Sequence, residues 1–433
     1  MQYLRSVLKY IVTFILTLAV LTLFMISSAM VPRDDVQDNM LQSAKYMNNH
    51  PAMFMLVDSV PSSKIDHFAD CVTLSIAYYL DENDPVKSAM WTSFYGAFTT
   101  QMNEFLWESV TTDVPDNQEY LRYWHGSAAC MRFMHLFTSL PDIYVFHAVL
   151  MAVLFLLLLF LLIRRKYYSE AVAFTIAMIA VDMFYVPFCL EYTYTVLWML
   201  TACIIALILT EHQKYQWYGV FFLITGMVTN FVDFLTAETL TLLVPLLLIL
   251  RLQYCPQLTK PKMKWCDSLK FSTLWLIGYA GMWVMKWVLA SIVLHQNVLP
   301  LITEHVIQRI NGPVTGTEIY GNKYSAAVLI NLKKLFPLEY GFYGAVFVLC
   351  FILLVVVIPV ATGRVELREK IIWSNAGLFA VIGLMPYIRF LILHNHSYVH
   401  GFFTHRAQAA TVMALVFIVF EIIEWRDKKL ISV

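Results

Sequence analysis

Long apolar runs separated by short polar turns organise this chain. The first, Leu8 to Val31, follows Arg5 and Lys9 and is long enough to cross the ~30 Å hydrocarbon layer of a bilayer. Its apolar core exceeds the ~7–15 residues of a secretory leader, so it reads as a retained anchor. Further runs lie near Ile143–Ile163, Ala171–Leu190, Thr195–Leu209, Tyr218–Phe234, Leu240–Leu250, Phe271–Leu294, Tyr340–Ala361, Trp373–Leu393 and Ala407–Ile423. The pattern predicts an all-α, polytopic bundle of about ten spans. Two connections are long. The first, 32–142, carries Phe68, Val72, Ile76 and Tyr79 at helical spacing and reads as a mainly helical loop domain; the second covers 295–338. The expected division is therefore a first helix at 1–31, the loop domain at 32–142, spans two to seven at 143–294, the second loop, and the last three spans with the tail at 339–433.

The charges orient this pattern. Arg164, Arg165, Lys166, Lys214, Lys260, Lys262, Lys264, Lys270, Arg364, Arg368, Lys370, Arg426, Lys428 and Lys429 all fall in connections on one side. The positive-inside bias then puts both termini in the cytoplasm and both long loops outside. Composition agrees: 59% of residues are hydrophobic and 14% charged, and Lys+Arg and Asp+Glu are equal at 30 each, which gives no field to attract nucleic acid. Cys71 and Cys130 share the first loop, where they read as a disulfide or as two separate buried thiols; Cys255 and Cys266 lack metal-ligand spacing. No nucleotide-binding loop, zinc motif, GxSxG elbow or dinucleotide fingerprint occurs.

Chemistry must then come from polar clusters near the outer ends of the spans. Asp66 and Asp70 are four apart and share one helix face, where two carboxylates serve as base, metal ligand or acceptors for sugar hydroxyls, or simply favour a helix start. Asp34 and Asp35, just past the first span, are rival carboxylates in a context that reads as helix start and anchoring. Arg122, Tyr123, Trp124 and His125, followed by Arg132, suit either a headgroup belt or a lipid phosphate. Asp182, Glu191, Asp233, Glu238, Lys286 and Arg389 fall inside or at the edges of predicted spans, where ionisable groups face a cavity or one another. Lys286 is roughly eight residues from the outer end, too deep to snorkel easily, so it requires an anionic ligand or a partner such as Asp233. The turn His394–Arg406 holds four histidines and an arginine; His396, His400 and Arg406 suit phosphate better than a metal, because no metal-ligand spacing is convincing.

This arrangement resembles the GT-C superfamily of integral membrane glycosyltransferases: a cytoplasmic N-terminus, a long first outer loop with aspartates, many spans, and basic or imidazole groups at later outer ends. The strings Tyr123-Trp124-His125-Gly126, Asp233-Phe234-Leu235-Thr236 and His396 to Arg406 are also similar to those of bacterial multi-span proteins without an assigned activity. The superfamily resemblance implies transfer of a sugar from a polyprenyl-phosphate donor to a glycan or other envelope acceptor at the outer face of a bacterial inner membrane. Asp66 would act as base and Asp70 would orient the acceptor or a divalent cation. Arg122, Arg132, Lys286, His396, His400 and Arg406 would neutralise the leaving phosphate, with His125 and Asp233 beside the substrate. The other classes are a transporter or flippase, whose paired interrupted halves are not visible, and a membrane scaffold, which leaves Lys286 unexplained.

Overall fold

The computed structural model describes residues 2–97, 101–253, 263–303, 307, 317–368 and 373–425. The described chain is all-α apart from three short two-stranded antiparallel sheets. Seven helices are long and apolar enough to cross a membrane by length and composition, and they identify a membrane protein. They are α1 (Gln2–Ala29), α7 (Leu140–Arg164), α9 (Leu190–Glu211), α12 (Trp265–Val293), α14 (Phe342–Ala361), α15 (Trp373–Ile392) and α17 (Gly401–Ile422).

Three further apolar runs form helices of a different kind. The run Ala171–Leu190 gives α8 (Tyr168–Ala180), which stops where Asp182 adopts left-handed backbone (φ 51°) and a 3-10 turn with Pro187 follows. The run Tyr218–Phe234 gives α10 (Tyr218–Val232), ended by extended backbone at Asp233, and α11 (Leu240–Leu252) has only 13 residues, or roughly 20 Å. Every α11 residue except Arg251 is buried, so this helix is clad by protein. Arg251 binds Glu170 at 3.2 Å and also Glu421, tying α11 to α8 and α17.

Between α1 and α7 the chain forms α2 (Arg33–Asn48), α3 (His67–Tyr79), α4 (Pro85–Trp91), α5 (Met102–Thr111) and α6 (Gly126–Met134), with two of the short sheets. Pro32 prevents α1 from continuing, and Asp34 and Asp35 favour the N-terminus of α2. Met40, Met47, Cys71, Leu74, Phe94 and Leu106 give these helices an apolar core that also takes in Ile143, Tyr144 and Leu190. Cys71 and Cys130 are both free thiols, which removes the disulfide reading; Cys255 lies outside the described residues.

One contact fixes the frame of the site described below. A Cβ on Gly226 would lie 2.1 Å from the Trp275 carbonyl oxygen, and one on Gly278 would lie 2.3 Å from that of Leu223. Glycine at both positions lets α10 and α12 meet backbone to backbone. Beside this contact α12 presents an aromatic stripe, Trp275, Tyr279, Trp283 and Trp287, whose neighbouring ring centroids are 4.9, 5.4 and 6.1 Å apart.

Candidate functional site

The acidic pair of the first loop is engaged in holding the fold. Asp66 caps α3, its carboxylate accepting the Ala69 N–H at 3.0 Å, and burial raises its pKa against the opposing pull of backbone hydrogen bonds and Lys64. Asp70 accepts the Tyr144 hydroxyl at 2.5 Å and the Leu190 N–H at 2.7 Å, which joins α3 to the starts of α7 and α9. Burial pushes its carboxyl up to about 8, although the Tyr144 bond favours the ionised form. His67 is caged between them by Tyr144, Phe54 and His50, and the same burial pushes its imidazole down to about 4.

The basic candidates separate. Arg132 is fully buried, and its guanidinium donates to the carbonyls of Ala77, Tyr78, Val31 and Leu80 at 2.7–3.2 Å, with Glu82 at 4.0 Å. It closes helix ends and has little donor capacity left for a phosphate. His125 takes left-handed backbone (φ 58°) before α6, and its Nε2 lies 2.7 Å from the Tyr120 carbonyl oxygen, a contact that requires the proton on Nε2. Burial holds this imidazole down at about 3, so it is neutral. Lys286 is fully buried and reaches the Ala89 carbonyl at 2.9 Å, at the C-terminal end of α4, with the Trp124 ring 5.4 Å away. The expected pairing with Asp233 is not made. Asp233 instead accepts Thr195 Oγ1 at 2.9 Å, Thr236 Oγ1 at 2.5 Å and the Thr236 N–H at 3.2 Å.

A lateral groove draws the remaining groups together. A cavity of about 830 Å³ runs between α11, α12 and α15, with walls that include Leu242, Leu246, Leu276, Ile382 and the aromatic stripe. Its α12 lining extends from Trp265 to Trp287, which at the helical rise is roughly 33 Å. Leu269, Leu276, Ile388 and Ile392 are 45–70% exposed along its rim, so it opens sideways toward the surface that a membrane covers.

One end of this groove is polar. Arg122 and the ion pair of Glu238 with Arg389 line it, the pair meeting at 3.0 and 3.3 Å. Arg389 is held further by Ser397 Oγ at 3.0 Å and the Leu235 carbonyl at 2.5 Å. Four buried donors here lack a hydrogen-bond partner: Arg122 Nε, the Thr239 and Tyr279 hydroxyls and Trp283 Nε1. Buried donors are almost always satisfied, so four lining one groove mark a place built for a ligand's acceptors. Glu238 and Arg389 were legible as ionisable groups at span edges. The partnership of Tyr279 and Trp283 with them was signalled only by the four-residue spacing of the stripe.

The histidine turn is helical, with α16 (His394–Val399) running into α17. The rings of His396 and His400 are 4.7 Å apart, and His400 stacks on Phe403 at 5.1 Å. Arg406 is buried against Tyr192. Asp66, Asp70, Arg132, Asp233, Lys286, His396, His400 and Arg406 do not line the groove; Arg122 does. Among the described residues, no cluster of three or more His, Cys, Asp or Glu side chains could hold a metal ion. No protein-family model, curated protein or solved structure matches the chain.

Proposed function

We propose that this chain is a membrane glycosyltransferase that moves a sugar from a polyprenyl-phosphate donor to a glycan, lipid or protein acceptor of the cell envelope. In this reading the large loop lies outside a bacterial inner membrane and both termini are cytoplasmic, which the basic connections support. The observation that carries the proposal is the groove. Its length along α12 matches the whole ~30 Å hydrocarbon layer, whereas a phospholipid acyl chain fills one leaflet, roughly half of that. A chain that uses the full groove is longer than ordinary membrane lipid, and its anionic head would meet Arg122, Arg389, Tyr279 and Trp283.

The groove moves the proton-transfer role from Asp66 to Glu238, the carboxylate that lines its polar end. Glu238 takes the acceptor hydroxyl's proton as that oxygen bonds to the anomeric carbon. The bond from the anomeric carbon to the phosphate oxygen breaks, and its electron pair leaves on the phosphate. Arg122 and Arg389 stabilise that growing charge.

Deletion of the gene tests the class. A transferase predicts accumulation of a polyprenyl-phosphate sugar that a membrane-impermeant glycosidase added from outside removes. Accumulation on the protected, cytoplasmic side would replace this reading with a flippase, and an unchanged lipid-linked pool would refute both.

A further inference from the structure

A second polar site lies away from the groove, where the 3-10 turn Pro61–Ser63, the start of α17, and the segment between α13 (Lys323–Leu332) and α14 converge. Its floor is Arg406, which is fully buried. Its Nη1 donates to the Phe402 carbonyl at 2.9 Å and its Nη2 to the Ser62 carbonyl at 3.3 Å, while Nε has no partner. The other buried arginines each have a carboxylate within 4.0 Å, Glu82 for Arg132 and Glu238 for Arg389, and the partly buried Arg251 has Glu170 and Glu421. Among the described residues Arg406 has none, and a buried cation in that condition is costly.

Its neighbours add positive charge. Lys334 and His405 are close enough to interact electrostatically with Arg406, and Lys64 with Lys334. The Lys64 ammonium lies 4.5 Å from the Phe402 ring centroid, and the fully buried His405 leaves Nε2 unpartnered. Two acids stand opposite, Asp182 and Glu339, the latter accepting the Ser62 N–H at 3.3 Å. Asp182 interacts electrostatically with both Glu339 and Arg406. Three cations thus face two acids, with unsatisfied donors on the floor and the half-exposed Lys64 and Lys334 toward the surface.

We propose that Lys64, Lys334, His405 and Arg406 form a phosphate-binding site, separate from the groove, that takes a phosphate monoester dianion. The excess of positive charge and the unpartnered donors of Arg406 and His405 suit that ion's charge and oxygens. The site is independent of the glycosyltransferase reading, since none of the four residues lines the groove.

The test uses the full chain in phosphatidylcholine nanodiscs, with binding of radiolabelled inorganic phosphate measured against sulfate as competitor, and thermal midpoints measured in discs with and without phosphatidic acid. Arg406→Gln and Lys64→Gln are expected to weaken binding about tenfold or more, whereas Lys87→Gln, at an exposed position of α4, leaves it unchanged. Lys64 is partly exposed, so its variant remains informative if Arg406→Gln fails to fold. Saturable binding of free phosphate supports a soluble ligand, and stabilisation by phosphatidic acid alone supports a lipid headgroup. Absence of both, or wild-type affinity in the Lys64 variant, overturns the proposal.

Discussion

Glu238→Gln is expected to lower sugar transfer by roughly two to four orders of magnitude while donor lipid still binds. The amide keeps an acceptor for Arg389, whose bonds to Leu235 and Ser397 remain, so folded yield in detergent is expected to stay near wild type. Asp66→Asn makes the contrast. Its side chain caps α3, and asparagine caps a helix as well as aspartate does, so turnover should stay within a few-fold. Initial rates with a purified polyprenyl-phosphate sugar decide between the two positions. If Asp66→Asn is dead and Glu238→Gln is active, the base lies in the first loop and the groove holds something other than the reacting donor.

Asp70 predicts a large pH effect on stability, independent of any activity. Its buried carboxyl titrates near 8 in the folded protein and near 4 when unfolded, so across that interval the native state holds a proton that the unfolded chain has released. The stabilisation this gives is complete below the unfolded value and is lost as pH rises through the folded one, with a slope of up to about 1.4 kcal/mol per pH unit. His67 and His125 act in the other direction. Their folded values near 4 and 3 make stability increase with pH, but only up to the unfolded value near 6.5. Thermal midpoints should therefore fall from pH 6.5 to 8 in the wild type. Asp70→Asn, whose amide can still accept from Leu190 and donate to Tyr144, should be nearly flat by comparison. Parallel curves for the two proteins would mean that Asp70 is ionised throughout.

These two residues also show what the sequence could and could not convey. Hydropathy located the long helices, because a lipid layer imposes a length that single-chain patterns reveal. It read the runs of α8, α10 and α11 as spans too; these helices have 13, 15 and 13 residues, and α11 shows that a helix covered by protein is as apolar as one in lipid. The four-residue spacing of Asp66 and Asp70 reads as one helix face, whereas Asp66 is the N-cap just before α3 and only Asp70 lies within the helix. The occupation of Asp70 depends on Tyr144 and Leu190, which lie 74 and 120 residues beyond it. Lys286 was legible as a buried cation, yet its acceptor is a carbonyl 197 residues away, and backbone acceptors carry no sequence signal. Arg132 likewise meets helix-end carbonyls that no motif announces. The groove was the least legible feature, since Glu238, Arg389 and the α12 stripe become one site only when α11, α12 and α15 pack.

The occupancy of that groove tests the account most directly. A long-chain polyprenyl phosphate with a photoreactive group near the tail, irradiated with the full chain in nanodiscs, should label α12 at Leu269 or Leu276. A short-chain analogue with the same head should label only near Trp283 and Trp287. Unlabelled polyprenyl phosphate should compete, and Leu246→Trp, which narrows the groove, should abolish the deep labelling. Equal deep labelling by a tail-tagged phosphatidylcholine, or labelling confined to the lipid-facing sides of α1 and α7, would contradict a groove built for a polyprenyl chain.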